Sequence, residues 1–178
     1  MHHVELLLDP AADAGVRAEW ARLAGAGLPS RADHRGASNR PHVTLTTSEG
    51  WPGADALADP VSALPVAGWL GAPVVLGRGP FVLARLVVVT RELLALQAGV
   101  ASAVGPLSSA LVEPGRWVPH VTLGGRLTGE QVAEALAVLG PEPGEVSFVG
   151  ARHWDSVGRL DEPLVPAHGG RGPRSVGG

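Results

Sequence analysis

The pentapeptide Pro-His-Val-Thr-Leu occurs twice in the chain, at residues 41–45 and 119–123. At average residue usage, a chance repeat of five residues in a chain of this length has odds of about one in a hundred. In each copy the apolar Val and Leu alternate with the polar His and Thr, which is the pattern of a half-buried β-strand. The repeat therefore predicts two similar halves, each containing one copy of this strand.

A helix is predicted before each copy of the repeat. In the first half, Val16, Trp20 and Leu23 lie at helical spacing within residues 11–26. In the second half, a helix is predicted to start at residue 91 with Thr90 as its N-cap. Other predicted elements are a short helix within 50–65, a helix over 128–140 that starts with a Thr128/Gln131 capping box, and strands at 4–8, 73–76, 81–89 and 145–160.

The order of these elements predicts an α+β fold with two similar lobes. Each lobe is expected to be a mainly antiparallel sheet with outer helices, and the two lobes to flank a central cleft as a pseudo-twofold duplication. A parallel βαβ sheet is the competing architecture, and the short, irregular connections favour the antiparallel one. Residues 1–166 are expected to form this single bilobal domain, and the glycine-rich segment 167–178 a disordered tail.

Composition excludes several kinds of chemistry. The chain contains no cysteine, so it has no disulfide, thiolate metal site or cysteine nucleophile. All 14 basic residues are arginine, which excludes a lysine Schiff base and the lysine-containing phosphate loop. The net charge of −3 argues against a large nucleic-acid footprint but is compatible with a short phosphate ligand. Without a secretory signal or an apolar stretch of membrane-spanning length, we expect a cytoplasmic monomer with no membrane association.

The polar residues of the two repeats have the properties of an acid–base site. On an extended strand His42, Thr44 and Thr46 would share one face, and His120 would share a face with Thr122. If the strands faced each other, one imidazole could accept a proton while the other donated one. The threonine hydroxyls could donate hydrogen bonds to phosphate oxygens. This set suits phosphodiester cleavage without a metal, particularly of a 2′,3′-cyclic phosphate, whose strained ring supplies the leaving oxygen.

Two other interpretations of the histidines remain open. Each could be an ordinary core or surface residue of its strand, although the identical repetition makes this less attractive. A metal site would require a third ligand, and the available candidates are His34, His153 and Asp155, none of which lies at a standard ligand spacing. We therefore expect neither a metal nor a cofactor.

The paired Pro-His-x-Thr-Leu strands resemble those of the 2H phosphoesterases, and within them the bacterial 2′-5′ RNA ligase-like group. The resemblance extends over Val4 to Leu160 in the order and type of the elements. It implies a bilobal α+β fold, no metal, and either 2′,3′-cyclic phosphodiesterase activity or reversible formation of 2′-5′ linkages. By motif position, it assigns His42 and His120 as the acid–base pair and Thr44 and Thr122 as the phosphate-binding hydroxyls.

Further candidates for substrate binding lie beside the two motifs or in the last strand region. Trp117 could stack on a base, although a core tryptophan explains it equally well. Arg126 could contact phosphate, but Gly124 and Gly125 interrupt the strand before it, which favours a solvated arginine, and Arg40 has the same two interpretations. Trp51 and the run Arg152-His153-Trp154 could line the cleft. The chain departs from many members of the family in having no tyrosine and only two phenylalanines.

The sequence thus predicts a hydrolase that opens 2′,3′-cyclic phosphates by two-histidine catalysis, with a small nucleotide or an RNA-terminal phosphate as its substrate. One alternative is 2′-5′ RNA ligation in the same site. Another is a nucleotide- or RNA-binding module without turnover. A purely structural protein would predict that the four polar residues do not converge.

Overall fold

A computed structural model describes residues 1–34, 36, 38–141 and 144–165 of the chain. The predicted tail lies outside these residues. None of the helices in the described part is both long enough and apolar enough to span a membrane. The regular elements are β1 (His2–Leu8), α1 (Pro10–Gly25), β2 (His42–Ser48), α2 (Ala58–Val61), β3 (Val66–Leu76), β4 (Phe81–Val88), α3 (Arg91–Val104), β5 (His120–Leu127), α4 (Gly129–Val138), β6 (Gly144–Asp155) and β7 (Leu160–Val165).

The seven strands form one antiparallel sheet. Its strand order is β2-β1-β6-β3-β4-β5, and β7 pairs with β6 outside this path. The antiparallel α+β prediction is therefore confirmed, and the parallel βαβ alternative is wrong. The path divides into two three-stranded halves, β2-β1-β6 and β5-β4-β3, which join where β6 pairs with β3. The two repeats occupy equivalent positions, as the outermost strands of the two halves.

Contacts between the halves bring these two outermost strands together. Helix α1 packs on β1 and also on β5, α3 packs on β3 and also on β2, and β2 and β5 contact each other. The indole Nε1 of Trp20 donates to the carbonyl oxygen of Thr122 at 3.0 Å. In the reciprocal contact, Nε1 of Trp117 donates to the carbonyl oxygen of Thr44 at 2.9 Å. Each motif strand is thus held by a tryptophan from the other half of the chain.

Both motif strands contain a β-bulge at the same place in the motif. The register of β2 with β1 skips Leu45, and the register of β5 with β4 skips Leu123. Because a one-residue shift exchanges the faces of the following side chains, Thr46 is directed into the core and is only 1% exposed. The expectation that Thr46 shares the face of His42 is therefore wrong.

Two predicted helix starts are confirmed by side-chain hydrogen bonds. Thr128 and Gln131 form the reciprocal capping box at the start of α4. The Thr90 hydroxyl accepts the backbone N–H of Leu93 at the start of α3. Strand β3 starts earlier than predicted, at Val66 rather than at residue 73, because Gly68 and Gly71, which are unfavourable in strands, interrupt its first part.

A buried ion pair links α1 to β4 beneath the second half of the sheet. The Arg85 guanidinium donates to both carboxylate oxygens of Glu19, and neither residue is more than 2% exposed. Arg85 also donates to the carbonyl oxygens of Gly71 and Gly140, at 3.3 and 2.9 Å. These bonds connect α1 to β3 and to the end of α4, so the pair joins elements from distant parts of the sequence.

We expect the variant Glu19→Gln to lose about 3–5 kcal/mol of unfolding free energy, because it leaves the Arg85 charge buried without a counterion. Asp13→Asn is the matched control on the same helix, since Asp13 pairs with Arg17 at the surface and exposed pairs contribute less than about 1 kcal/mol. Urea unfolding followed by circular dichroism measures both. Equal losses in the two variants would contradict this account of the buried pair.

Candidate active site

The two motif histidines have the same local hydrogen bond. Nδ1 of His42 lies 2.7 Å from the carbonyl oxygen of Arg40, and Nδ1 of His120 lies 2.8 Å from that of Val118. A carbonyl oxygen can only accept a hydrogen bond, so each Nδ1 must carry the proton. This fixes the tautomer and orientation of both rings and makes Nε2 the proton-accepting atom of each neutral imidazole. Both histidines are partly exposed.

Each histidine lines a cavity together with the threonine two residues later. The His42 cavity, which also contains Thr44, has a volume of about 790 Å³. The His120 cavity, which also contains Thr122, has a volume of about 700 Å³. Both volumes lie within the range of small-molecule sites. In each motif the histidine and the threonine therefore lie on the same face of their strand, as predicted from strand alternation.

The two cavities adjoin each other. Arg31 and His34, from the segment between α1 and β2, line both of them. The strands β2 and β5 that contribute the motif residues are in contact. The four residues thus lie in two adjoining cavities with a common wall, so one extended ligand could contact both motifs.

A buried ion-pair network forms one side of the His42 cavity. Arg152 donates through Nε to a Glu5 carboxylate oxygen at 2.8 Å and through one terminal nitrogen to Asp161 at 2.9 Å. The other Glu5 oxygen lies 3.5 Å from Nε2 of His42. Glu5 faces Thr44 across the β1–β2 pair and Arg152 across the β1–β6 pair, so strand register places this network beside the motif.

The electrostatic environment of His42 favours its neutral form. The pKa of His42 lies below 6.5, and burial is the largest cause of this lowering, although the nearby Glu5 carboxylate and the hydrogen bond to Arg40 both raise the pKa. The positive charges of Arg152 and Arg31 lower the pKa further. A neutral His42 with its proton on Nδ1 has an Nε2 lone pair that can accept a proton.

The His120 cavity is much more apolar than the His42 cavity. Leu76, Pro80 and Val82 contribute to its wall. Arg126 adds one cation at the edge of this cavity, where its backbone has a φ of 63° next to a second register shift of β5. Arg31 and Asp33 also line this cavity. The His120 half of the site therefore combines an apolar wall with a few charged residues, whereas the His42 half is lined mainly by polar and charged residues, although the two motifs are identical.

The remaining sequence candidates divide according to their positions. Arg40 and Arg126 each line one of the cavities. Trp117 lines neither cavity, and its indole contacts the backbone of β2 instead. Trp51 and His153 also line neither cavity, since they stack on each other with ring centroids 3.7 Å apart, and His153 is 2% exposed. The geometry therefore offers no support for a substrate contact by these last two residues.

Alternation along β6 explains why the run at residues 152–154 is split. Arg152 and Trp154 line the His42 cavity, whereas the intervening His153 points to the opposite face. There, His153 contacts Nδ1 of His2 at 3.0 Å and the Glu162 carboxylate at 3.2 Å. His153 therefore belongs to a separate hydrogen-bonded cluster with His2 and Glu162, on the face of the sheet opposite the His42 cavity.

Sequence reasoning missed Glu5, Asp161 and Arg31. A signal existed for Glu5, because it is the one charged residue within the apolar strand 4–8, where an isolated charge is costly unless it is paired. Nothing in the local sequence marks Asp161 or Arg31. Their positions depend on strand pairing and on the path of the chain after α1.

No group of three or more histidine, aspartate and glutamate side chains in the described ranges is arranged to hold a metal ion. Within these residues, none of the third-ligand candidates His34, His153 and Asp155 completes such a group with the motif histidines.

Comparison with known proteins identifies the family. A profile described as the 2′-5′ RNA ligase superfamily matches residues 10–156, a span that contains both repeats. The chain belongs to this superfamily. The resemblance to the 2H phosphoesterases is therefore confirmed, and membership supports an enzyme with phosphodiesterase-type activity. No curated protein sequence matches the chain significantly.

Solved structures of similar fold include Usb1 from Kluyveromyces marxianus. It is 14% identical, with a TM-score of 0.50, and the alignment covers 92% of this chain and 96% of that chain. A structure of the same yeast protein with uridine monophosphate has a TM-score of 0.48 at 14% identity, with coverage of 92% and 97%. At this identity, the first of these shows a shared fold.

We expect NMR titration of His42 to give a pKa below 6.5, and the variant Glu5→Gln to lower it further. The substitution removes a carboxylate that raises the pKa while the charges of Arg152 and Arg31 remain. Glu130→Gln, at an exposed position on α4, is the control and should leave the His42 titration unchanged. A higher His42 pKa in Glu5→Gln would contradict the electrostatic account.

Proposed function

We propose that the protein is a metal-independent phosphodiesterase that opens 2′,3′-cyclic phosphates on nucleotides or RNA ends. The observation that carries the proposal is the matched presentation of the two histidines. Each donates from Nδ1 to the carbonyl oxygen two residues earlier and lies beside a threonine on the same strand face. Two imidazoles held in equivalent positions in adjoining cavities suit a reaction that needs one base and one acid.

In the proposed reaction, one histidine removes a proton from water as the water oxygen attacks phosphorus. A bond forms between that oxygen and phosphorus, and the bond from phosphorus to one ribose oxygen breaks. The second histidine, protonated at Nε2, gives its proton to the departing ribose oxygen. The product is a nucleoside 2′- or 3′-phosphate, and the two histidines end with exchanged protonation states. The reverse direction exchanges their roles.

We assign the base role in hydrolysis to His42. Its lowered pKa keeps Nε2 unprotonated at neutral pH, which is the state that a base requires. His120 is then the acid. The Thr44 and Thr122 hydroxyls are assigned to the phosphate oxygens, where a hydrogen bond becomes stronger as negative charge develops in the transition state.

The asymmetry of the site supports a nucleotide-like substrate. The wall formed by Leu76, Pro80 and Val82 beside His120 offers apolar contact for a ribose or a base. The arginine-containing wall beside His42 is better suited to charged and hydrated groups. The small size of both cavities favours a mononucleotide or a terminal phosphate over a long RNA segment.

Hydrolysis of a panel of 2′,3′-cyclic nucleotides in the presence of EDTA tests the proposal. We expect turnover by the wild type and a decrease of about 10²–10⁴-fold in kcat/KM for His42→Ala and for His120→Ala. Wild-type activity that is abolished by EDTA and restored by zinc would contradict the metal-free mechanism. If the protein instead joined RNA ends through a 2′-5′ linkage and hydrolysed no cyclic nucleotide, the ligase alternative would be favoured.

The threonines provide an internally controlled test. We expect Thr44→Val and Thr122→Val each to lower kcat/KM by about 100-fold, since each loses one hydrogen-bond donor to the phosphate. Thr46→Val is the matched control on the same strand. Its hydroxyl is buried and has no hydrogen-bond partner in the described part of the chain, so activity should stay at the wild-type value. A comparable loss in Thr46→Val would show that the effect comes from the strand and not from the hydroxyls.

A further inference from the structure

We propose that Arg31 is a third catalytic side chain, whose guanidinium contacts the non-bridging phosphate oxygens between the two histidines. This inference rests on the proposed function, because it places the reacting phosphate at the common wall of the two cavities. Neither the repeat nor the sequence around Arg31 suggests this role.

The position of Arg31 is the first argument. Arg31 and His34 line both the His42 cavity and the His120 cavity. His34 is exposed, whereas Arg31 is partly buried. The charge of Arg31 also lies close enough to His42 to contribute to the lowering of its pKa. A group at the common wall can reach a phosphate that both histidines must approach.

The availability of its charge is the second argument. Within the described residues, no carboxylate oxygen lies within 4.0 Å of the Arg31 guanidinium. Arg152, in contrast, is paired with both Glu5 and Asp161, and Arg40 lies 4.0 Å from Asp161. Arg31 is therefore better placed than Arg152 to bind an incoming anion.

The Arg31 backbone is held by hydrogen bonds on both sides. Ser30 and Asp33 form a capping box around the short helical turn Arg31–Asp33. The Asn39 amide donates to the Arg31 carbonyl oxygen at 2.8 Å, and its side-chain oxygen accepts from the Arg31 guanidinium at 3.2 Å. This last bond leaves other guanidinium N–H groups available for phosphate. Such a fixed side chain loses little freedom when it binds a ligand.

Close packing against β5 fixes where this turn lies. The Ser30 hydroxyl donates to the carbonyl oxygen of Trp20 at 2.6 Å. At Gly124, any Cβ would overlap the carbonyl oxygen of Pro29. Gly124 comes directly after the bulged residue of the second motif, so the absence of a side chain there lets the turn approach the His120 strand. The same motif strand thus supplies one histidine and positions the arginine.

A guanidinium suits this role for chemical reasons. Its planar set of donors matches two phosphate oxygens at once, and it remains charged at any pH at which the histidines titrate. During attack on phosphorus, negative charge on the non-bridging oxygens must be stabilised, and a preorganised cation provides this without a metal. The threonine hydroxyls alone supply only neutral donors.

The experiment compares Arg31→Ala, Arg31→Lys and the control Arg91→Gln in steady-state hydrolysis of a 2′,3′-cyclic nucleotide. Arg91 is exposed on the first turn of α3 and lines neither cavity. We expect Arg31→Ala to lower kcat/KM by about 100-fold or more. Added guanidinium ion should restore part of its kcat, and ammonium ion should restore less.

The kcat/KM of Arg31→Lys should fall between those of the wild type and Arg31→Ala, and that of Arg91→Gln should match the wild type. Wild-type kcat/KM in Arg31→Ala, or a loss that guanidinium does not relieve in a variant with wild-type circular dichroism, would overturn the inference.

Calorimetric binding of inorganic phosphate separates this inference from the proposed function. Phosphate should bind wild type and His120→Ala more tightly than Arg31→Ala. If the wild type hydrolyses no cyclic nucleotide but binds phosphate through Arg31, the proposed reaction fails and the anion contact stands. If hydrolysis depends on both histidines but Arg31→Ala keeps wild-type turnover and phosphate affinity, the reaction stands and the inference fails.

Discussion

The candidate active site depends on how the two outermost strands of the sheet are held against each other. A strand with no sheet neighbour on one side exposes backbone groups that need hydrogen-bond partners. Here the outward carbonyl oxygens of Thr44 and Thr122 accept indole N–H groups from Trp117 and Trp20. Each tryptophan comes from the other half of the chain, so each bond pairs one edge carbonyl oxygen and at the same time connects the two halves. Without them, two identical motifs would not have to face a common ligand.

The bulge after each threonine changes which face of the sheet the following residues of the motif strand point to. Before Leu45 and Leu123, a histidine and a threonine point to the cavities. After Leu45 the bulge turns Thr46 into the core, and after Leu123 it places Gly124 against the backbone of Pro29. The two motif histidines have the same local geometry, but their surroundings differ. A paired carboxylate and two arginines surround His42, whereas apolar residues line much of the His120 cavity. This difference is the physical basis for assigning the two histidines to different steps.

Features that depend on neighbours in the sequence could be predicted, whereas features that depend on strand pairing and tertiary packing could not. The pairing of His with Thr on one face followed from the strand period, and the start of α4 followed from its capping box, because both depend on neighbours in sequence. The bulge at Leu45 could not be predicted, since it belongs to a register between two strands, and it reversed the position of Thr46. Trp51 was a candidate only by composition, and tertiary packing placed it against His153. The position of Arg31 depends on a close approach between Pro29 and Gly124, which are 95 residues apart in the printed sequence.

The central claim is that both half-sites serve one phosphate. NMR titration of the wild-type protein with inorganic phosphate, following the ring signals of His42 and His120 together, tests it most directly. The account predicts that both signals shift along a single binding curve, with one phosphate bound per chain and both neutral rings protonated on Nδ1. Shifts of only one histidine, or two curves with different dissociation constants, would contradict the account and show that the two motifs form separate sites.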